Sequence, residues 1–416
     1  MDQISTYSNF NKANINIAYD DLVKDLNNLF KNADNYISQL LKDQNITTRK
    51  RKLSFIDALT YKFIYANKHE TQQSAIDNYK YDNKIIFNNI SFYKKESKIP
   101  LEYYEYIYDK CINMFEKYTN KTSFKIIAVD GTYNNTNYKN NHELETSLNM
   151  GYYDVLNCIP LKIDPICNKK NCEIKSFIDM INDEKSNLDD FIFVCDRAYF
   201  SYDLIKLLNQ KNAKFVIRVK NNCKYMNNNC DIKDVSENLR FINFNFNKEH
   251  TKEFYNNKND VFEKYKVIQK IDCNMITNLD NNFDDNAIKN IYNSRWDIEE
   301  YFKFIKYKFK FSLMKEHNKN TLETYKKTYT IIKIYSILER IFELASHNIG
   351  KKYNEKYNVK INKSQLINGI FKIIPKIISS SLTYDDLFMF YETYVHLNLT
   401  KKDSHNPRTS KIPFTL

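Results

Sequence analysis

The stretch FKIIAVDGT, Phe124–Thr132, is a short apolar run closed by Asp130 and Gly131. Its length and its β-branched and aromatic content are those of a buried strand. A second run of this kind, FIFVCDRAYFS at Phe191–Ser201, ends in Asp196, with Arg197 and a helix start behind it. Around these two runs strands and helices alternate. Strands are expected at Phe124–Val129, Thr146–Tyr153 and Asp154–Ile163, and a helix at Glu173–Asp183. A strand at Asp190–Cys195, a helix at Ser201–Gln210 and a strand at Lys214–Val219 follow. A carboxylate at the end of a buried strand is held rigidly with its head at the sheet rim. Each aspartate taken alone reads more readily as a turn residue or a helix cap.

Three strands, helix, strand, helix, strand is the order of a ribonuclease-H-like fold, a mixed α/β sheet. In that order the first and fourth strands are neighbours, so Asp130 and Asp196 converge although they lie far apart in sequence. The gap from Asp196 to Glu299 is too long for a simple loop. RFINFNFN, with period-two alternation, and KYKVIQKIDCNMITNL fall inside it and read as a β-rich insertion at about residues 220–280.

The chain then returns through IYNSRWDIEEYFKFIKYKF, Ile291–Phe309, which contains no Pro or Gly. On one helix, Tyr292, Arg295, Glu299 and Lys306 fall within roughly 60° of one another. Ile298, Phe302 and Ile305 form a separate apolar stripe suited to a core. The polar side carries an acid, two cations and a phenol, and reads either as a solvated face with i,i+4 charge pairs or as a phosphate-handling surface. Asp130, Asp196 and Glu299 brought together would repel one another and lose hydration, so their cluster makes sense mainly around divalent cations. Hard oxygen ligands suit Mg²⁺ or Mn²⁺.

These segments resemble the three catalytic blocks of DDE transposases of the insertion-sequence-4 family. VDGT at Val129–Thr132 resembles the first block, and CDRAYFS the second, whose usual form is Asp-Arg-Gly-Tyr. The third block resembles the family's Tyr-x2-Arg-x3-Glu-x6-Lys signature at every spacing, and ITNL at Ile276–Leu279 resembles its lead-in. The resemblance covers roughly residues 120 to 345. It departs at Ala198, where Gly is usual; a left-handed backbone there would strain alanine.

The resemblance implies a DNA transposase that cuts at the ends of a mobile element and joins them to target DNA. Asp130, Asp196 and Glu299 would be the catalytic acids holding two Mg²⁺ or Mn²⁺ ions. Arg295 and Lys306 would supply positive charge to phosphates, and Tyr292 a hydrogen bond. Arg197 and Tyr199 would contact substrate or hold the site. Trp296 would pack on its helix or stack on a displaced base. The partners would be double-stranded DNA, as transposon ends and target, and a second copy of the chain. Alternatives are a nuclease of the same fold without strand transfer, and a domesticated, non-catalytic DNA-binding relic.

Composition agrees with a polyanionic partner: the 416 residues carry a formal net charge of +12. Residues 1–118 read as a helical region. Asp20–Leu41 has helical apolar spacing, RKLSFIDALTYKFIYAN gives a second helix, and Thr71–Tyr81 resembles a third with a Thr cap. The basic cluster Arg49, Lys50, Arg51 and Lys52 opens the second helix and is compatible with a DNA-end-binding domain, or with a solvated charge run. Residues 119–219 then form the first part of the catalytic core, 220–280 the insertion, 281–346 the last part with the Glu-bearing helix, and 347–416 a helical region with a basic tail.

The eight cysteines include no C-x-x-C pair, so a structural zinc is not expected, and a reducing setting fits them. His142, His250 and His317 show no catalytic spacing. The polar N-terminus has no secretory pattern, no run approaches a membrane span, and no phosphate-cradling Gly-rich loop implies a nucleotide. An intracellular, DNA-associated protein with no membrane partner is expected.

Overall fold

The computed structural model describes residues 17–46, 53–66, 72–84, 86–119, 122–137, 144–166, 173–184, 187–219, 239–256, 261–309, 321–346, 357–395 and 397–401. Six helices come first: α1 (Tyr19–Leu29), α2 (Ala33–Asp43), α3 (Phe55–Ala66), α4 (Gln72–Asn83), α5 (Asn89–Glu96) and α6 (Leu101–Lys117). Strands β1 (Lys125–Asn137), β2 (Leu144–Asp154) and β3 (Ile159–Ile166) lead to α7 (Glu173–Asp183). Then follow β4 (Phe191–Cys195), a 3-10 turn at Arg197–Tyr199, α8 (Tyr202–Gln210) and β5 (Lys214–Val219). Two long strands, β6 (Arg240–Asn256) and β7 (Val261–Thr277), precede α9 (Asp285–Asn293) and α10 (Trp296–Lys308). The chain continues through α11 (Thr321–Ala345), β8 (Tyr357–Ile361), α12 (Lys363–Ile378), α13 (Tyr384–Tyr394) and β9 (Leu397–Lys401). None of the helices among the described residues is long and apolar enough to cross a membrane.

The chain divides into two units. Thr122–Tyr307 forms an α/β unit built on a seven-stranded sheet of order β3-β2-β1-β4-β5-β7-β6. β1, β4 and β5 run parallel; the remaining pairings are antiparallel. This is the ribonuclease-H-like mixed sheet. The strands of the insertion lengthen the same sheet, because β7 pairs with β5 from Val216↔Thr277 to Val219↔Asn274. Residues opposite one another on paired strands share a face. Ile127, Val129, Met150 and Tyr152 therefore point to one side, where Phe177 and Ile181 of α7 and Leu204, Ile205 and Leu208 of α8 bury them. Asp130 and its register partner Gly151 point to the other side.

Three expectations change here. β1 continues to Asn137, paired with β2, so Asp130 lies within a strand rather than at its end. The rim survives for a different reason: the β1–β4 pairing stops at Ala128↔Val194, just before Asp130. β3 begins at Ile159 because Val155–Cys158 turns, with Cys158 at φ 58° and the Asp154 carboxylate accepting from Asn157 N and Nδ2 at 3.2 and 2.7 Å. Tyr292 and Glu299 stand on two helices, since α9 ends at Asn293 and Ser294 Oγ caps back onto the Ile291 carbonyl at 2.6 Å.

The other unit comprises the described parts of Asn11–Lys121 and His317–Leu416. The expected single helix over Asp20–Leu41 is two, broken at Asn32, whose φ of 62° leaves the helical region. Ser54 and Asp57 cap α3 reciprocally: Asp57 N donates to Ser54 Oγ at 3.0 Å, and Ser54 N to Asp57 Oδ2 at 2.8 Å. Tyr335 of α11 is fully buried and donates to the Phe63 carbonyl of α3 at 2.9 Å. Arg49, Lys50, Arg51 and Lys52, Thr71 and the basic tail lie outside the described residues.

Candidate active site

The glycines explain how the site is assembled. Gly131 and Gly151 sit inside strands, and neither has positive φ. Each instead makes room for a neighbour. A Cβ on Gly151 would come within 2.8 Å of Phe302 Cζ and 3.5 Å of Ile298 Cδ1, so α10 lies directly on the strand backbone there. Ile298, Phe302 and Ile305 are buried as their spacing predicts. Tyr301 stacks on Tyr153 at 5.0 Å and fixes the helix further. Glu299 and Arg295 are thereby delivered to the side of the sheet that Asp130 faces.

The other face carries a residue for which the sequence suggested no role. Glu173 opens α7, and its carboxylate packs against Gly131: a Cβ there would meet Glu173 Oε1 at 2.8 Å. Asp130 is consequently flanked on both sides. Burial pushes its carboxyl up to about 7, Glu299 and Glu173 add to this, and Arg295 and the Gly131 amide oppose it. Gly131 N donates to Asp130 Oδ1 at 3.0 Å.

Arg295 pairs with Glu299 one helical turn away. Burial works against its charge, but Tyr292, Glu299 and Asp130 outweigh that and hold the guanidinium charged. Lys306 is lowered by burial, with Asp130 pulling the other way. Asp130, Glu299, Arg295, Lys306 and Tyr292 thus belong to one electrostatic group.

Asp196 follows β4, and its carboxylate caps the 3-10 turn by accepting from Ala198 N. Ala198 is not among the positive-φ residues, so the departure from glycine brings no strain. Asp196 is joined to the group by Glu173, whose carboxyl is raised by burial and by Asp196 and lowered by a hydrogen bond with Tyr199. Of the two roles expected for Tyr199, contact with substrate or holding the site, its complete burial, edge-on to Phe177 at 5.8 Å, fits the second. It is a support beneath the site. Arg197 is exposed. Trp296 is half-buried, with Lys303 Nζ 4.6 Å from its ring.

As these side chains stand, no three His, Cys, Asp or Glu among the described residues are gathered closely enough to hold a metal ion. Glu299 is turned to Arg295 and Asp196 to its own turn. The donor set nevertheless fits a hard divalent cation in kind, being carboxylates only, with buried negative charge that raises Asp130.

The model of the family described as Transposase DDE domain matches residues 121–327, about half of the chain. No curated protein matches it. The α/β unit with its rim of acids is therefore a transposase DDE domain. That domain supports a transposase function in general terms, one that acts on DNA.

Proposed function

We propose that the protein is a cut-and-paste transposase of the insertion-sequence-4 type, cleaving DNA at the ends of a mobile element and joining them to target DNA inside the cell. The observation that carries this reading is the placement of Asp130 between α10 and α7, coupled to Glu299 and Arg295 on one side and, through Glu173, to Asp196 on the other. Asp130, Asp196 and Glu299 would hold two Mg²⁺ or Mn²⁺ ions. Bound there, the ions would stabilise the attacking and leaving oxygens of an in-line displacement at phosphorus. Arg295 and Lys306 set fixed positive charge beside Asp130, where a phosphate would bind, and Tyr292 adds a hydroxyl on the same side. Arg295 has a second use: its guanidinium pairs with Glu299 one turn away.

Residues 1–118, with Arg49–Lys52, are proposed to bind the element's ends. Two copies of the chain would bring two ends together. The test is Glu299→Gln: Mg²⁺-dependent cleavage should disappear while end binding persists, and unchanged cleavage would remove Glu299 from the site. The ion pair that occupies Glu299 favours one second reading, a DNA-binding relic without catalysis. Wild-type protein that binds ends and never cuts would establish it. Cutting without a joined product would instead indicate a nuclease.

A further inference from the structure

We propose that Glu173 is a fourth acid of the site, a positioning residue whose negative charge strengthens divalent-cation binding by Asp130 and Asp196. The inference rests on the metal-dependent reading above and adds a residue to it. Three observations converge on Glu173. It is the first residue of α7 and reaches the backbone of β1 at Gly131, immediately after Asp130, where a side chain would collide with its carboxylate. Its carboxylate lies beside the hydroxyl of Tyr199, a fully buried residue three positions beyond Asp196 whose hydroxyl also reaches Met150 Sδ at 3.9 Å. Asp130 lies one residue before the first contact and Asp196 three residues before Tyr199, so the two contacts set the Glu173 carboxylate beside both acid-bearing segments.

A carboxylate placed only for helix capping would have no reason to lie against a glycine of the neighbouring strand. α7 also gains nothing in packing from an acid there, since Phe177, Met180 and Ile181 already bury its apolar side. A negative group held behind two ligand carboxylates raises the field at the ion and fixes the strand that carries one of them.

The test is a Mn²⁺ titration of the full-length protein, free Mn²⁺ being read by electron paramagnetic resonance. Wild type, Glu173→Gln, Glu173→Asp and Asp130→Asn are compared. Gln keeps the shape and the acceptor for Tyr199 but removes the charge, whereas Asp keeps the charge. Glu173→Gln should weaken Mn²⁺ binding by about tenfold, with Glu173→Asp closer to wild type and thermal unfolding little changed. Equal Mn²⁺ affinity in wild type and Glu173→Gln, with binding lost in Asp130→Asn, would overturn the role of Glu173 and leave the metal reading standing. Equal weakening by Gln and Asp would also overturn it, making the effect one of shape. Absence of Mn²⁺ binding by the wild type would remove both.

Discussion

Gly151 acts through its missing side chain. It lies opposite Asp130 and lets Phe302 touch the strand, so a single methyl group should disturb the docking of the helix that carries Glu299. Gly151→Ala is expected to cost about 1–3 kcal/mol of stability from overpacking, read as a lower denaturation midpoint, with partial recovery when Phe302 is shortened to Leu. Asp130 makes a prediction of opposite character. Its folded value, about 7, lies above the ordinary 3.8, so the folded state holds the proton more tightly than the unfolded chain. The stability it contributes is complete below the ordinary value and is lost as pH rises through about 7. In chelator-containing buffer, the wild type should lose thermal stability between pH 5 and pH 8 relative to Asp130→Asn; parallel curves would contradict the raised value. Asp130 and Asp196 could be singled out in the sequence because each closes an apolar run, and Glu299 because of its spacing from Tyr292, Arg295 and Lys306. Glu173 was not, because its importance arises from a close approach to Gly131 that no local spacing encodes.

Elements obey the same division. α7, α8, β4 and β5 could be read from periodicity and from the placement of Ser201, whose hydroxyl accepts from Leu204 N at 3.2 Å. Breaks were harder to see. Asn32 divides one amphipathic run, and Ser294 divides another, because both residues fit a helical pattern until the backbone is known. β1 extends past Asp130 through a polar, Asn-rich stretch that has no strand signature; its pairing with β2 supplies the order instead. β8 and β9, which pair with each other, were likewise invisible as short mixed segments. The packing of α10 gives a prediction at this scale. Ile305 is wholly buried on the side of the helix away from its charges. Ile305→Ala should cost about 2–5 kcal/mol, and cleavage should fall through misplaced Glu299 even at temperatures where the fold persists. Full activity in a correctly folded variant would show that the docking of α10 does not govern the site.

At the scale of the whole molecule, the net charge of +12 sets how the protein meets DNA. Binding driven by phosphate neutralisation releases counterions, so affinity should fall by at least about tenfold between about 50 and about 200 mM salt. A flat salt response, measured with a labelled duplex, would show that charge is not the main attraction. That balance was plain from composition, and the ribonuclease-H-like order of strands from the succession of apolar runs and helical patterns. The joining of the insertion to the same sheet was not, since the β5–β7 pairing links segments separated by a long stretch of chain.

In the proposed site, three acids distant in sequence serve one pair of cations. Iron-directed cleavage of the protein tests it: Fe²⁺ takes the place of Mg²⁺, and ascorbate with peroxide generates radicals that cut the polypeptide beside the bound ion. Cuts are predicted near Asp130, Asp196 and Glu299 together, suppressed by Mg²⁺ and abolished by Asp130→Asn. Cuts beside only one of the three, or scattered without regard to them, would rule out a shared cation site.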